Sequence, residues 1–266
     1  MFILPLHPQI IVLMIIVLFF IAIWYSSLFC QTFFHHRYAA HGAFKMSKSW
    51  EKVFFILSFI TQGSSYLSPR AYAIMHRMHH AYTDTEDDPH SPTYSKNLLD
   101  MMWKTYKVYE GILSHKTAID PKFTKNVPDW PVFDRIAGST IPRLIWVGLY
   151  LAFFIKFATA PWQYIFLPVI LVMAPVHGAI INWYAHKYGY KNFDMKNTSF
   201  NLLRVDFLML GESYHNNHHK HPSSVNFGKK WHEIDPIYPI IRFFAWLHII
   251  QLPVNAVSYA GGNGEW

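Results

Sequence analysis

Three stretches of the chain carry almost unbroken runs of apolar residues, at positions 9–30, 141–158 and 162–181. A helix of about 20 residues crosses the roughly 30 Å hydrocarbon core of a bilayer. Only the short segment ATAPW separates the last two runs, so these two are expected to form a hairpin. The pattern therefore predicts three transmembrane helices.

Two shorter apolar runs do not fit a span. Residues 53–60, VFFILSFI, are too few to cross, and polar TQGSSYLSPR follows them, so we expect a re-entrant or interfacial segment. Residues 238–252, YPIIRFFAWLHIIQL, are expected to form a helix in the membrane interface. No repeat or change of composition divides the chain. The predicted fold is an all-α integral membrane protein with a helical cap outside the lipid, in one domain over residues 1–266.

Composition and charge favour a membrane protein and give it an orientation. Hydrophobic residues make up 52% of the chain and charged residues 15%, where soluble domains carry about 25% charged residues. The net charge of +7 comes from scattered Lys and Arg, so we expect membrane lipids and no nucleic acid as partners. If the histidine clusters described next face the cytoplasm, every Lys and Arg except Lys156 lies on that side or at its interface. The single Cys30 excludes an internal disulfide and a thiolate metal site.

Seventeen histidines stand out from this apolar background, and most of them lie in three clusters: HHRYAAH (35–41), HRMHH (76–80) and HNNHH (215–219). Positions i, i+3 and i+4 share one face of an α-helix, so the second and third clusters each project three imidazoles in one direction. His36 and His41 are five residues apart, about 140° around a regular helix. They converge only if the helix frays there, or if they serve different metals.

This concentration of imidazole predicts a pair of metal ions. Neutral imidazole suits iron, zinc, copper or nickel. Eight clustered nitrogens exceed the six positions of an octahedral ion, and a hydrolytic zinc ion normally keeps three protein ligands and a water. Two irons engaged in oxygen chemistry are the better interpretation. Elsewhere, lone His177 and His248 are expected to be core residues with satisfied ring nitrogens, and His90 is expected to be a neighbour of the site or a surface residue.

The boxes HRYAAH, HRMHH and HNNHH resemble those of the membrane fatty acid desaturases, in the acyl-CoA desaturase branch, and the match covers about residues 31–250. The flanks HRMHHAYTDTEDDPHSP, GESYHNNHHKHP and NWYAHKYG are similar too. The resemblance implies nine iron ligands and one residue, Asn182, that binds iron through a water. The implied ligands are His36, His41, His76, His79, His80, His186, His215, His218 and His219. The family usually has two spans before the first box, whereas one is predicted here.

Further candidate site residues lie in or near the same motifs. Carboxylates are expected to accept the second ring N–H of the ligands, and the candidates are Asp84, Asp88 and Glu212, with Asp87 beside them. Basic residues near the boxes are candidates to bind the phosphates of a thioester substrate: Arg70, Arg77, Lys187 and Lys191.

The implied reaction is O₂-dependent insertion of a cis double bond into a saturated acyl chain, carried as a thioester or a lipid. The branch resembled implies an acyl-CoA substrate and the ninth carbon. The chain has no Gly-rich dinucleotide motif, Cys-x-x-Cys pair or His-Pro-Gly-Gly box, so no haem, flavin or NAD is expected. A separate ferredoxin- or cytochrome-type donor is expected to deliver electrons on the cytoplasmic face.

Three other functions remain open at this point. A membrane di-iron hydroxylase or monooxygenase acting on alkanes, sterols or carotenoids would more often show HxxxH in the first box. A haem protein that only transfers electrons would place axial histidines within paired spans, where only His177 lies. A metal transporter would need polar groups inside the bilayer, which these spans nearly lack.

Overall fold

The computed structural model of the protein describes residues 8–253, and the regular structure of these residues is almost all helix. The α-helices are α1 (Pro8–Cys30), α2 (Lys48–Gln62), α3 (Pro69–Tyr82), α4 (Leu98–Leu113), α5 (Pro121–Thr124), α6 (Pro131–Ala137), α7 (Thr140–Phe157), α8 (Phe166–Leu171), α9 (Met173–Ala179), α10 (His215–Lys220) and α11 (Ile237–Trp246).

The remaining regular elements are short. They are two π-helical segments, Gln31–Ala40 and Ile180–Tyr184, two 3₁₀ turns, Gly63–Ser65 and Pro161–Ile165, and two strands, β1 (Lys45–Met46) and β2 (Ile250–Gln251). The strands pair antiparallel, Lys45 with Gln251 and Met46 with Ile250. This pairing ties the end of the described chain to the segment that follows the first histidine cluster.

The apolar runs form the helices that the sequence predicts for a membrane. Two helical stretches are long and apolar enough to cross a bilayer, Met14–Ala40 and Thr140–Phe157. A third is available if Pro161–Leu171 and Met173–Tyr184 are counted as one span. The predicted fold class, a helical membrane protein with a histidine-rich site, is confirmed, with two or three candidate spans where three were predicted.

The span predicted over 162–181 is not one straight helix, because the chain bends by 76° at Val172. Pro175 has no N–H to donate to the carbonyl of Leu171, so the helix cannot continue regularly. The chain between the first two histidine boxes satisfies the freed groups. Ser64 Oγ donates to the Leu171 carbonyl at 2.9 Å, and Ser65 Oγ accepts from the Ala174 N–H at 3.2 Å. The broken helix is thereby attached to the segment that precedes α3.

The shorter apolar runs differ from spans as expected. At 15 residues, α2 is about 22 Å long, less than the hydrocarbon core. It buries Phe54 and Phe55 and exposes Val53, Ile56 and Ile60. The predicted helix over 238–252 is shorter than expected. It ends at Trp246, because His248 has positive φ (58°) and the chain then enters β2. His248 is exposed rather than a core residue.

Two apolar cores hold the site between them. Between the membrane helices, Ile16 of α1 packs with Tyr150 and Phe154 of α7 and with the residues of α8. The other core lies under the first π-helical segment and is rich in phenylalanine. Its fully buried members include Phe33, Phe34, Phe44, Phe55, Ile237 and Ile241. The first histidine cluster is therefore fixed on a segment that is packed on its opposite face.

Candidate metal centre

Nine imidazoles from four parts of the chain converge into two groups. The first group is His36, His41, His76, His80 and His218, and the second is His79, His186, His215 and His219. Within each group, one nitrogen of every ring lies within 4.8 Å of all the others. All nine ligands that the resemblance implies are thus brought together, and the structure divides them five and four.

The spacing of the nitrogens fits a metal ion. In the first group His36 Nε2 lies 3.0 Å from His218 Nε2, and in the second His186 Nε2 lies 2.9 Å from His215 Nε2. Neighbouring ligands at right angles on a metal about 2.0–2.1 Å away are separated by about 2.9 Å. Five nitrogens so close together cannot all pair as donor and acceptor. A central cation satisfies every lone pair at once.

The first π-helical segment explains how His36 and His41 come to share a face. The backbone N–H of His41 bonds to the carbonyl of His36, five residues back, at 3.1 Å. A π-helix has more residues per turn than an α-helix, so positions five apart lie nearly above one another. The 140° separation that a regular helix would impose is removed. Both rings then reach His76 and His218.

The third cluster lies on α10, a helix of only six residues that needs outside support. The two asparagines between the histidines provide it. Asn216 Oδ1 accepts from the backbone N–H groups of Asn192 and Phe193, and Asn217 Nδ2 donates to the Phe227 carbonyl and to Glu233. These side chains anchor α10 on one face while His215, His218 and His219 leave from the other.

Three predicted carboxylates lie behind the imidazoles. Glu212 lies 2.6 Å from His36 Nδ1, and Asp88 lies 2.9 Å from His79 Nδ1. Asp84 is farther from His186 Nδ1, at 4.0 Å, and acts through Thr198 Oγ1, which lies 3.2 Å from that nitrogen and donates to Asp84 at 2.8 Å. Such contacts hold Nδ1–H and direct Nε2 to the centre. Asp87 is exposed and makes no such contact among residues 8–253.

The surroundings favour the neutral form of His79, His215 and His218. Burial lowers the pKa of His79, His215 and His218 far below the ordinary imidazole value, and neighbouring imidazoles lower it further. A neutral ring retains the lone pair that a metal requires. For Glu212, burial acts to raise the pKa, but His36 and Arg37 outweigh it, so the pKa is lowered and the carboxylate stays charged.

A buried ionic network behind Glu212 was not foreseen from the sequence. The Arg37 guanidinium is fully buried, donates to Asp235 at 2.7 Å and to Thr32 Oγ1 at 3.0 Å, and lies over the Phe227 ring. The Thr32 hydroxyl in turn bonds to Glu212. Arg37 stands inside the first histidine box, but its partner Asp235 is 198 residues away. No local pattern could have paired them.

Other predicted residues lie around the two groups. Asn182 is on the second π-helical segment, which precedes His186, and lines the adjoining cavity, but no hydrogen bond joins it to a histidine within residues 8–253. His90 is buried, its ring centroid 4.3 Å from that of His79. It belongs to the wall of the site, one of the two places expected for it.

The structure does not bring together the four basic residues named as phosphate ligands. The Arg77 guanidinium donates to four backbone carbonyls, those of Ala39, Ala40, Phe123 and Lys125. Arg70 lies 3.8 Å from Asp129 in a second, polar cavity. Lys187 and Lys191 lie over aromatic rings. Arg77 holds the first box against the loop after α4, a structural use of its donors.

An apolar cavity of about 280 Å³ adjoins both groups. His36 and His76 of the first group and His215 of the second reach its wall. α4 and α9 both contribute to the wall, with Met102, Thr105, Tyr106, Tyr109, Ala174, Pro175, His177 and Gly178. Tyr106 is 51% exposed, so the cavity opens beside α4.

One histidine of this wall contradicts its prediction. His177 was expected to be a satisfied core residue. It is buried, but neither ring nitrogen has a hydrogen-bond partner among residues 8–253. Its only specific contact there is the edge of the Trp24 ring, with centroids 4.5 Å apart.

The family model described as "Fatty acid desaturase" matches residues 10–248, which is most of the chain and includes every histidine of both groups. This chain belongs to the fatty acid desaturase family. The match confirms the family that the histidine boxes indicate in the sequence. A membrane desaturase acts on fatty acyl or lipid substrates, and its histidine clusters can bind metal.

Curated relatives of this desaturase carry similar names. The "sn-1 stearoyl-lipid 9-desaturase" of Anabaena variabilis is 29% identical over 222 residues, 83% of this chain and 75% of that protein. The protein of the same name from Synechocystis sp. is 27% identical over 224 residues, 82% of this chain and 66% of that protein. "Delta-9 desaturase-like 2 protein" of Arabidopsis thaliana is 30% identical over 237 residues, 85% and 74% of the two chains. The chain spans about two thirds to three quarters of the length of these relatives.

Proposed function

We propose that this desaturase binds two iron ions and introduces a cis double bond at the ninth carbon of a saturated, lipid-linked acyl chain. The observation that carries the proposal is the position of two largely buried histidine groups on the wall of one apolar cavity. The nine histidines named above are the proposed ligands, with Asn182 as a further ligand through water.

The reaction removes two hydrogen atoms from adjacent methylene carbons and forms a C=C bond. O₂ takes these two hydrogens, two further electrons and two protons, and leaves as two waters. Iron supplies the one-electron redox chemistry that lets O₂ attack such unactivated C–H bonds. The chain carries no motif for its own electron source, so a separate ferredoxin- or cytochrome-type donor supplies the two electrons.

The residues of the chain itself position the substrate. A saturated chain offers no polar group to bind near the carbons that react, so selectivity must come from shape and from where the chain is held. The apolar wall from α4 and α9 confines the chain beside His36, His76 and His215. Such positioning contributes much of the rate enhancement, and a small displacement of the substrate lowers the rate strongly.

Three observations favour a lipid-linked acyl chain over acyl-CoA. The relatives from Anabaena and Synechocystis are named for a stearoyl-lipid. The cavity opens beside the exposed aromatic face of α4, where Trp103 and Tyr106 stack at 5.5 Å, a surface suited to lipid. Arg77, a candidate for the phosphates of CoA, uses its donors on backbone carbonyls. The proposed position of the double bond, at the ninth carbon, is taken from the names of the relatives.

Expression in a host of defined lipid composition tests the function. We expect new monounsaturated acyl chains, with the double bond located by mass spectrometry, and their loss in His79→Ala. His232→Ala, which changes a histidine outside both groups, is the matched control and should keep the product. A hydroxylated lipid instead of an alkene, or full product from His79→Ala, would overturn the proposal.

An assay with purified enzyme distinguishes a lipid-linked acyl substrate from acyl-CoA. In vesicles with ferredoxin, its reductase and NADPH, one arm supplies a glycerolipid with ¹³C-stearoyl at sn-1, and the other supplies ¹³C-stearoyl-CoA. We expect label in the monounsaturated product first from the lipid arm. Conversion of stearoyl-CoA before any label enters lipid would assign the acyl-CoA substrate that the sequence motifs imply.

A further inference from the structure

His177 lies on the wall of the acyl cavity and belongs to neither histidine group. It lies on α9, beyond the bend at Val172, and only 1% of it is exposed. Pro175 and Gly178 line the cavity beside it. A glycine and a proline leave room for a ligand next to the ring.

Both ring nitrogens of His177 lack a protein partner among residues 8–253. A buried polar group without a partner is unfavourable, and native proteins rarely keep one without a use. The Trp24 ring covers one side of the imidazole and offers no acceptor in that contact. His177 lines the cavity, so a ligand there is the natural source of a partner.

A saturated acyl chain has one polar group, the carbonyl that joins it to its carrier. We infer that a ring N–H of His177 donates to this carbonyl oxygen and so fixes which carbon pair lies beside the histidine groups. The inference rests on the proposed function, because it takes an acyl ester as the ligand. It assigns His177 a role in specificity, because a fixed carbonyl sets the number of carbons between the carboxyl end and the new double bond.

The dimensions agree with this assignment. His177 lies nine residues before His186 of the second group, and the backbone between them is helical as far as Tyr184, so it rises roughly 13 Å at about 1.5 Å per residue. Eight bonds separate the carbonyl carbon from the ninth carbon, and with bonds of about 1.5 Å the zigzag chain spans roughly 10 Å. A carbonyl held at His177 therefore lets the ninth carbon reach the histidine groups through the same cavity.

The test compares His177→Leu, His177→Gln and wild type, with stearoyl and palmitoyl lipids as substrates. Leucine fills the space without a donor, whereas glutamine keeps an N–H donor. We expect wild type to place one double bond at the same distance from the carboxyl carbon in both chains. His177→Leu should give a mixture of positional isomers and raise KM about tenfold, which corresponds to the loss of one hydrogen bond. His177→Gln should restore the single isomer.

A structural role predicts a different result. If His177 only packs against Trp24, His177→Leu yields the wild-type isomer alone, in whatever amount, and the inference is wrong. It is also wrong if the double bond of the wild type moves with chain length, because the enzyme would then count from the methyl end. His232→Leu, outside the cavity, is the matched control and should change neither isomer nor KM.

A second measurement does not depend on turnover. Isotope-edited infrared spectra are recorded for a 1-¹³C-stearoyl glycerolipid bound to the iron-loaded protein, without O₂ or an electron donor, in a detergent without carbonyl groups. We expect a carbonyl band at lower frequency in wild type and His177→Gln than in His177→Leu. The same band in all three proteins would overturn the inference. If wild type shows the shifted band but never desaturates, the proposed function fails and the carbonyl contact stands.

Discussion

Glu212 connects the buried network of Thr32, Arg37 and Asp235 to His36, a proposed iron ligand. It contacts His36 Nδ1 at 2.6 Å and is fixed from behind by Thr32 and, through it, Arg37. Glu212→Gln keeps the shape and removes the charge. We expect iron affinity at the first group or desaturation to fall about 10- to 100-fold, as for other residues that orient a ligand. Iron content and product yield are the measurements.

Glu86→Gln is the matched control, because this carboxylate is exposed and belongs to neither histidine group. It should bind two irons and retain activity. Two irons and undiminished product in Glu212→Gln would show that the carboxylate does not support His36.

Thr198 gives a sharper comparison at the same scale, because it lies between His186 and Asp84 and can lose its hydroxyl without losing volume. Thr198→Val breaks the path from His186 Nδ1 to the carboxylate, and Thr198→Ser preserves it. We expect the valine variant to lose iron from the second group, with affinity reduced about tenfold or more, and the serine variant to keep it. Mössbauer spectra of ⁵⁷Fe-loaded protein measure both. Equal loading in the two variants would contradict this role of Thr198.

Among the elements, the first π-helical segment and α3 must lie close for His41 and His76 to meet. Their interface is built from small side chains, with Ala39, Ala40 and Ala73 all buried. Ala73→Leu inserts bulk there, so we expect a loss of about 1–3 kcal/mol in the free energy of unfolding and reduced iron content. Thermal unfolding in detergent and metal analysis are the measurements.

Ala81→Leu serves as the control for this change, because it adds the same side chain to an exposed position of the same helix. It should leave stability and iron content near wild type. A normal iron content in Ala73→Leu would mean that the close approach of the two elements is not needed for the site.

The elements also show what the sequence can predict. The spacing within HRMHH and HNNHH is sufficient, because a regular helix alone brings i, i+3 and i+4 together, and α3 and α10 do so. The spacing of His36 and His41 was ambiguous, because π-helical geometry depends on tertiary packing rather than on local preference. The bend at Val172 was missed although Pro175 is visible, because prolines are tolerated in membrane helices when other groups satisfy the backbone. Here Ser64 and Ser65 do so from a distant segment.

At the scale of the whole molecule, the site joins parts of the chain that only the complete fold brings together. His36 and His218 are 182 residues apart, and their nitrogens are 3.0 Å apart. Motif resemblance supplied the ligands, including His186, which spacing alone would have left doubtful. The residues that support them, Thr198, Arg37 and Asp235, come from other segments. They could not be predicted, because nothing local marks which distant side chain they will meet.

The distribution of Lys and Arg predicts that the histidine groups face the cytoplasm. The single Cys30 is buried, so added cysteines can be labelled without background. We expect Lys196→Cys, in the exposed loop before α10, to react with a membrane-impermeant maleimide only after cells are permeabilised. Thr159→Cys, in the turn after α7, should react in intact cells. The reverse pattern would place the site on the outer face.

Metal binding should stabilise the whole fold, because nine ligands from four segments are held by the same ions. Iron present at about 1,000 times its dissociation constant adds roughly 4 kcal/mol to the free energy of unfolding. For a chain of this size that raises Tm by about 10 °C. Thermal scans at one fixed rate, before and after chelation and again after iron is restored, measure the shift. His79→Ala should show a smaller shift, because one group is incomplete. An identical Tm with and without iron would mean that these histidines do not hold the metal.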